Sequence, residues 1–265
     1  MQVSYREVLR CLLEGLSWLQ DVHQRPRGAS AYPQPRFVSL VENGTHVLFG
    51  SRLGPCAESE IALARQLLAA LEKDILCLAD RNFFGYPLWK QARGTGADLL
   101  WRVKKNLRLP VERRCADGSY LSRICSREQD RRRRIHGIQV RVIEYRLEGA
   151  GNAEPLYRLL TSLLDEAAAP APQLAALCHQ RWEIETAWDE LKTHLRGSKI
   201  VLRSKTPELV RQEFWGLLLA HFAIRDLMQQ AAGKGRRDPH RLSYVHAVRV
   251  VRRKLAMAVA IPPSG

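Results

Sequence analysis

Two cations and one carboxylate fall close together on a predicted helix in the carboxyl-terminal third of the chain. The stretch Leu177 to Arg196 reads LCHQRWEIETAWDELKTHLR, and at about 100° per residue its apolar residues form one buried stripe. Arg181, Glu185 and Lys192 project within roughly 40° of one another at the rim of that stripe. Because a carboxylate between two cations is held ionised, the arrangement suits a metal ligand flanked by phosphate-binding groups. A solvated face of charged side chains is the competing interpretation of the same pattern.

A second carboxylate, Asp80, stands at the end of a predicted buried strand. The apolar run Ile75 to Ala79 leads directly into Asp80, and a loop and a helix follow. In open α/β sheets, functional groups collect at the carboxyl ends of the strands. A catalytic carboxylate is therefore one interpretation of Asp80; capping of the next helix or pairing with Arg81 is the other.

The order Arg-x3-Glu-x6-Lys within RWEIETAWDELK resembles the carboxyl-terminal signature of the insertion sequence 4 type transposases, a branch of the DDE transposases. That signature reads Tyr-x2-Arg-x3-Glu-x6-Lys. Arg181, Glu185 and Lys192 match it residue for residue, whereas Cys178 stands where the family has tyrosine. The segment ADRNFFG around Asp80 is similar to the setting of the family's second metal-binding carboxylate.

The resemblance covers about Phe37 to Gln230 and implies a metal-dependent DDE transposase. Such an enzyme cleaves DNA and transfers strands at insertion-sequence ends by two-metal phosphoryl transfer. Asp80 and Glu185 would then be catalytic residues and metal ligands, with Mg²⁺ as the expected ion and Mn²⁺ as its substitute. Arg181 and Lys192 would bind DNA phosphates. The expected partner is double-stranded DNA, both element ends and target, and the resemblance implies a dimer on that DNA.

The family's first carboxylate lies on a strand just before a hairpin, in an Ile-Asp-Gly-like context, and we identify no such segment before Phe37. The upstream acids Glu7, Glu14 and Asp21 recur every seven residues, which predicts the solvent face of a helix. Of these, Asp21 is the candidate replacement. We therefore predict an amino-terminally truncated or internally deleted copy that is defective in transposition. The alternative is a catalytically inactive DNA-binding remnant that interferes with an intact transposase.

The composition points to a polyanionic partner. The chain has 265 residues, with 42 Lys and Arg against 27 Asp and Glu, a net charge of +15 and a pI near 10.0. A basic membrane-surface protein would need an apolar anchor, and no apolar run approaches the roughly 20 residues of a membrane span, so no membrane partner is expected. The six cysteines are scattered without a C-x-x-C pair, which favours reduced thiols in the cytoplasm.

The predicted elements form a ribonuclease H-like mixed α/β sheet with helices, interrupted by a β-rich insertion before the last catalytic helix. An Asn43-Gly44 turn predicts a hairpin. Arg131 to Arg134 is predicted to lie in a turn, for which a solvated loop and a phosphate contact are the two interpretations. The domain boundaries we predict are an amino-terminal helix and loop (1–35, with the helix over Val3 to Leu19), a catalytic domain (36–232, with its insertion at about 108–165) and a basic carboxyl-terminal helix (233–265).

Overall fold

The computed structural model describes residues 9–17, 35–55, 57–133, 135–146, 156–179, 189–195 and 206–258, and for 9–17 it describes the backbone alone. The chain divides into two compact units. The first comprises Met1–His23, Gln34–Val41 and Phe49–Arg181, and the second comprises Gln24–Pro33, Glu42–Leu48 and Trp182–Gly265. The predicted domain boundaries at residues 35 and 232 stay a prediction.

One mixed sheet of nine strands organises the described part of the first unit. The strands are β1 (Leu9–Ser17), β2 (Pro35–Glu42), β3 (Leu48–Pro55), β4 (Ile75–Ala79), β5 (Asp98–Arg102), β6 (Arg113–Arg114), β7 (Tyr120–Ile124), β8 (Ile138–Tyr145) and β9 (Tyr157–Thr161). Their order is β3-β2-β1-β4-β5-β9-β8-β7-β6. β4 runs parallel to both β1 and β5, whereas the pairs from β5 through β9 to β6 are antiparallel. The ribonuclease H-like mixed sheet is thereby confirmed, and the insertion extends this sheet instead of forming another.

The centre of the sheet is apolar because its strands are covered on both faces. All five residues of β4 are buried, as is usual for a parallel strand. Trp89 and Trp101 pack edge to face with their ring centroids 5.2 Å apart and are fully buried. Two helices of this unit are α1 (Glu60–Leu67) and α2 (Tyr86–Gly94), and the Ser59 side chain caps the start of α1.

The predicted amino-terminal helix over Val3 to Leu19 is wrong for Leu9–Ser17, which forms strand β1. β1 lies between β2 and β4 in the centre of the sheet. A short run that is mostly apolar, such as LRCLLEGLS, fits helical and strand patterns equally well, so periodicity cannot separate them. Pairing with β4 decides the outcome, because a central position in a sheet satisfies the backbone of an apolar segment on both sides.

The predicted hairpin is present, but its loop is longer than the two residues that Asn43-Gly44 indicated. β2 ends at Glu42 and β3 begins at Leu48. The Glu42 carboxylate accepts the backbone N–H of Gly44 at 2.9 Å and that of Thr45 at 2.5 Å. His46 then adopts a φ of 59°, in the left-handed region. The loop is therefore held by a local side-chain cap, which the dipeptide rule does not include.

The arginine run predicted to lie in a turn begins in a short helix, α3 (Glu128–Arg133). Glu128 lies 2.7 Å from Arg131 and 3.6 Å from Arg132, at spacings of three and four residues. Such pairs support helical geometry even in a very polar segment. Arg134 lies outside the described residues.

The remaining elements include a helix of the first unit and three helical segments of the second. They are α4 (Ala171–His179), a π-helical segment (Glu190–Leu195), α5 (Pro207–Gly235) and α6 (Tyr244–Ala258). The predicted long helix is confirmed in α5, and Thr206 caps it by accepting the N–H of Leu209. Among the described residues, no helix has the length and apolar character needed to cross a bilayer.

Candidate active site

Asp80 lies directly after β4, at the carboxyl end of a strand in the middle of the sheet. The capping interpretation of Asp80 is wrong, because α2 begins at Tyr86 and its N-cap is Gly85, without a side-chain cap. The Asp80 side chain is 23% exposed, and its Oδ1 lies 3.9 Å from Nη1 of Arg102. Asp80 is therefore an accessible carboxylate beside a cation, as a metal ligand or phosphate-site residue would be.

The strand register places two further charged residues level with Asp80. On β1, Leu13 pairs with Ala79 of β4, so the next residue along is Glu14 beside Asp80. On β5, Trp101 pairs with the same Ala79, so the next residue is Arg102. Three neighbouring parallel strands thus carry an acid, an acid and a base at one level, which we call the Glu14–Asp80–Arg102 row. Equivalent positions on parallel strands share a face of the sheet.

The sequence analysis missed Glu14 as a candidate because it assigned this segment to a solvated helix. The local sequence, Leu13-Glu14-Gly15, keeps the apolar residue and the glycine of the family's Ile-Asp-Gly context and replaces aspartate with glutamate. An acid followed by glycine inside an apolar run was the signal that could have revealed it.

The signature residues are described in part. Cys178 is buried near the end of α4. Arg181 and Glu185 lie outside the described residues, and Lys192 falls in the π-helical segment without a described side chain. Their proximity to Asp80 stays a prediction. Among the side chains that the structure describes, no three histidines, cysteines or carboxylates form a metal cluster, and this comparison includes neither Glu14 nor Glu185.

The candidate donor set is made of oxygen ligands. The row supplies the carboxylates of Glu14 and Asp80, and the signature would supply that of Glu185. Carboxylate oxygens are the ligands that hard cations such as Mg²⁺ and Mn²⁺ prefer, whereas zinc sites draw on cysteine and histidine. The residues present therefore fit the divalent ion that the family resemblance implies.

A buried ionic cluster in the second unit is centred on Glu190, which lies five residues after Glu185 in the signature segment. Both oxygens of the Glu190 carboxylate accept from Arg225, with Arg225 Nε at 2.9 Å and Nη2 closer still. His221 Nε2 lies 3.3 Å from Glu190 Oε2. Arg225 Nη2 also donates to Nδ1 of His46 in the hairpin loop. These four side chains, all more than 90% buried, are the Glu190 cluster.

The protonation states follow from this geometry. Burial raises the pKa of Glu190, but hydrogen bonds from His221 and Arg225 outweigh it and hold that pKa far below its ordinary value. Burial lowers the pKa of His221 below its ordinary value of 6.5, although Glu190 opposes the shift. His221 is therefore neutral with its proton on Nε2, and its Nδ1 has no hydrogen-bond partner among the described residues.

The Glu190 cluster holds the fold together and is not a metal site. Two histidines and a glutamate are a familiar ligand set, but the Arg225 guanidinium already occupies the space between Glu190 and His46. A cation there excludes a second cation by charge and by volume. The cluster joins the π-helical segment to α5 and to the hairpin loop, so it fixes the chain just after the predicted third carboxylate.

Comparison with known proteins gives concordant results. The Transposase DDE domain family matches residues 23–223. Over 227 residues the chain is 30% identical to the transposase InsG for insertion sequence element IS4 of Escherichia coli K12, which covers 84% of this chain and 51% of that protein. Over 72 residues it is 31% identical to the putative transposase InsZ of the same organism, which covers 27% of this chain and 24% of that protein. The chain thus spans about half the length of InsG.

A solved structure with the same architecture is the synaptic complex of piggyBac transposase with hairpin DNA, determined by cryo-electron microscopy. The TM-score is 0.57 at 12% identity, and the match covers 97% of this chain and 55% of that chain. At this identity the likeness concerns the fold alone.

Proposed function

This chain belongs to the insertion sequence 4 type DDE transposases, and on that premise we propose that it cleaves DNA and joins strands at the ends of an insertion sequence. The reaction class is phosphoryl transfer: water, and then a DNA 3′-hydroxyl, attacks the phosphorus of a phosphodiester, and a 3′-hydroxyl leaves. The DNA is double-stranded, and two chains act together on two element ends. The proposed compartment is the cytoplasm, in keeping with the absence of a disulfide among the cysteines whose side chains the structure describes.

We propose Glu14, Asp80 and Glu185 as the three carboxylates of the site. They would hold Mg²⁺, or Mn²⁺ in its place, which when bound activates water and stabilises charge on the scissile phosphate. Arg102 lies beside Asp80 and would orient that carboxylate or donate to a phosphate oxygen. Arg181 and Lys192 would bind phosphates next to the cleaved end, as the signature implies.

The observation that carries the proposal is the Glu14–Asp80–Arg102 row. A carboxylate beside Asp80 on the adjacent parallel strand supplies the charge that two divalent cations need against their mutual repulsion. Asp21 had been the candidate for this role, and it lies outside the described residues. We propose Glu14 as the first carboxylate in its place; the support is the pairing of Leu13 with Ala79, the residues directly before Glu14 and Asp80.

The test is strand nicking on a duplex that carries the element's own end, in Mg²⁺ and again in Mn²⁺. We expect Glu14→Gln and Asp80→Asn each to reduce nicking by at least about a thousandfold while DNA binding is retained. Asp21→Asn should leave nicking within about threefold of the parent chain. A matched control is Glu72→Gln, an exposed acid before β4. Loss of nicking in Asp21→Asn with full nicking in Glu14→Gln would refute the assignment of Glu14.

The second candidate is a defective copy that binds DNA without cutting it and interferes with an intact transposase. The observation in its favour is the glutamate at position 14, which is one methylene longer than the family's aspartate. Its test is the reverse substitution. If the parent chain binds the element end without nicking, and Glu14→Asp creates nicking, then this copy is inactive because of that one methylene. If neither chain nicks while both bind, the defect lies elsewhere.

A further inference from the structure

A basic cavity of about 470 Å³ opens in the first unit beside the candidate active site. Arg81 and Asn82, which follow Asp80 directly in the chain, form one wall, and α3 forms another. The side chains that give it its chemical character are four cations, an aromatic ring and one acid: Arg81, Lys104, Arg108, Arg131, Phe84 and Glu128. The cations exceed the acid by three charges, so the cavity is suited to an anion.

Glu128 is the one acid of this lining, and three arginines converge on it. The distances from its Oε1 are 2.7 Å to Arg131, 3.6 Å to Arg132 and 3.9 Å to Arg108. The hydrogen bond from Arg131, aided by the neighbouring charges, lowers the pKa of Glu128. An oxyanion in a fork of arginines has the geometry of a bound phosphate, which arginine recognises in the same way as a carboxylate.

We propose that the cavity binds one DNA backbone phosphate, and that Glu128 occupies the phosphate position in the free protein. This inference rests on the proposed function, because that function supplies the DNA. On binding, the phosphate would displace the Glu128 carboxylate and pair with Arg108 and Arg131, and Arg81 and Lys104, which line the same cavity, would add positive charge. The cavity would bind the DNA strand at a phosphate next to the phosphodiester that lies at Asp80.

Displacement of Glu128 is physically easy. The Glu128 side chain is 51% exposed and that of Arg108 is 80% exposed, and ion pairs between exposed groups contribute little stability. The remaining protein–DNA contacts would hold a backbone phosphate of the bound DNA near the cavity. Binding of that phosphate also releases counterions from the DNA. Without DNA, Glu128 keeps the arginines together. When DNA binds, the negative charge of Glu128 repels the phosphate, so Glu128 lowers DNA affinity by a small factor.

The decisive variant is Glu128→Gln, measured by fluorescence anisotropy of a labelled duplex with the full chain at 50 to 200 mM salt. Loss of a negative charge about 5 Å from the phosphate should tighten binding by roughly fivefold at the low-salt end. The matched control is Glu166→Gln. Glu166 pairs with Arg113 at a distance of 3.5 Å, and neither residue lines this cavity. Control affinity should stay within about twofold of the parent. Unchanged or weaker binding by Glu128→Gln would overturn the proposal.

A second variant tests the arginines. The double variant Arg108→Ala with Arg131→Ala should reduce the magnitude of the slope of log affinity against log salt by about 0.9, because the cavity neutralises one phosphate and each neutralised phosphate contributes about 0.9. Arg113→Ala is the control and should change the slope by less than half of one contact. An unchanged slope in the double variant would overturn the proposal even if Glu128→Gln tightened binding.

The same assay separates this inference from the function beneath it. If the parent chain binds no duplex at low salt, the proposed function fails. If the parent chain binds duplex and all cavity variants behave as the parent does, the cavity inference alone fails. A polyglutamate competitor tests another class of partner: tighter binding of polyglutamate but not of duplex by Glu128→Gln would assign the cavity to an acidic peptide and overturn the phosphate.

Discussion

Replacing Glu190 with glutamine should destabilise the second unit more than most single substitutions do. Glutamine has nearly the same shape as glutamate, so the change removes a charge and leaves the packing in place. Arg225, which is 8% exposed, would then be a buried cation without its carboxylate. One oxygen of the amide can still accept from Arg225, but the second accepting oxygen becomes an NH₂ group that faces a donor.

The expected size follows from what is lost. A hydrogen bond to a charged group contributes about 1.5–3 kcal/mol, and removal of one partner of a buried ion pair costs about 3–5 kcal/mol in total. We expect Glu190→Gln to lower the free energy of unfolding by that larger amount. Replacement of both partners, as Glu190→Gln with Arg225→Met, should cost less than Glu190→Gln alone, because no uncompensated charge remains buried.

The assay is urea unfolding followed by far-ultraviolet circular dichroism, which reports the helices that dominate the described part of this unit. Asp226→Asn is the control on the same helix, because Asp226 is exposed and bonds to Gln230 four residues away. The control should stay within about 0.5 kcal/mol of the parent. A Glu190→Gln chain as stable as the control, or a double variant less stable than Glu190→Gln alone, would refute the reasoning.

Three further outcomes follow from the structure. Charge reversal of Arg249 and Arg253, exposed on α6, should weaken DNA binding equally for all sequences and reduce the salt slope by about two, as anisotropy titrations would show. The pKa of His221 is lowered in the folded chain, so the unfolded chain binds this proton first as the pH falls. The free energy of unfolding should therefore decline below about pH 6.5, by at most about 1.4 kcal/mol per pH unit for this one group, as chemical denaturation would show. Trp101→Ala should cost about 3–5 kcal/mol in the same assay, because it empties a fully buried site against Trp89.

Local patterns predicted the elements whose own residues decide their structure. Ile75–Ala79 is apolar at every position, so a buried strand ending at Asp80 was predictable and is confirmed. The caps of α5 were equally readable, because Thr206 and Pro207 stand together at its start. In these cases a few adjacent residues are enough to indicate the element, although the backbone of β4 is paired with distant strands.

The features that sequence alone did not predict depend on distant partners. β1 is a strand because β4 pairs with it, more than sixty positions along the chain. The Glu190 cluster brings His46 to Arg225 across 179 residues, and no local pattern encodes that contact. Glu14 was missed for the same reason, since its place on a strand next to β4 depends on the pairing of β1 with β4.

The position of the insertion in the sheet affects how the chain can fold while it is being synthesised. β5 is bordered on one side by β4, and its other edge pairs with β9, where the Leu99 N–H donates to Ser162 Oγ, 63 residues away in the chain. While the ribosome is producing the residues between them, β5 exposes an unpaired apolar edge of the kind that recruits other chains. A nascent chain arrested before Tyr157 should therefore aggregate or bind chaperones, whereas one released beyond Leu164 should not. The slow step of folding is expected to be this long-range closure.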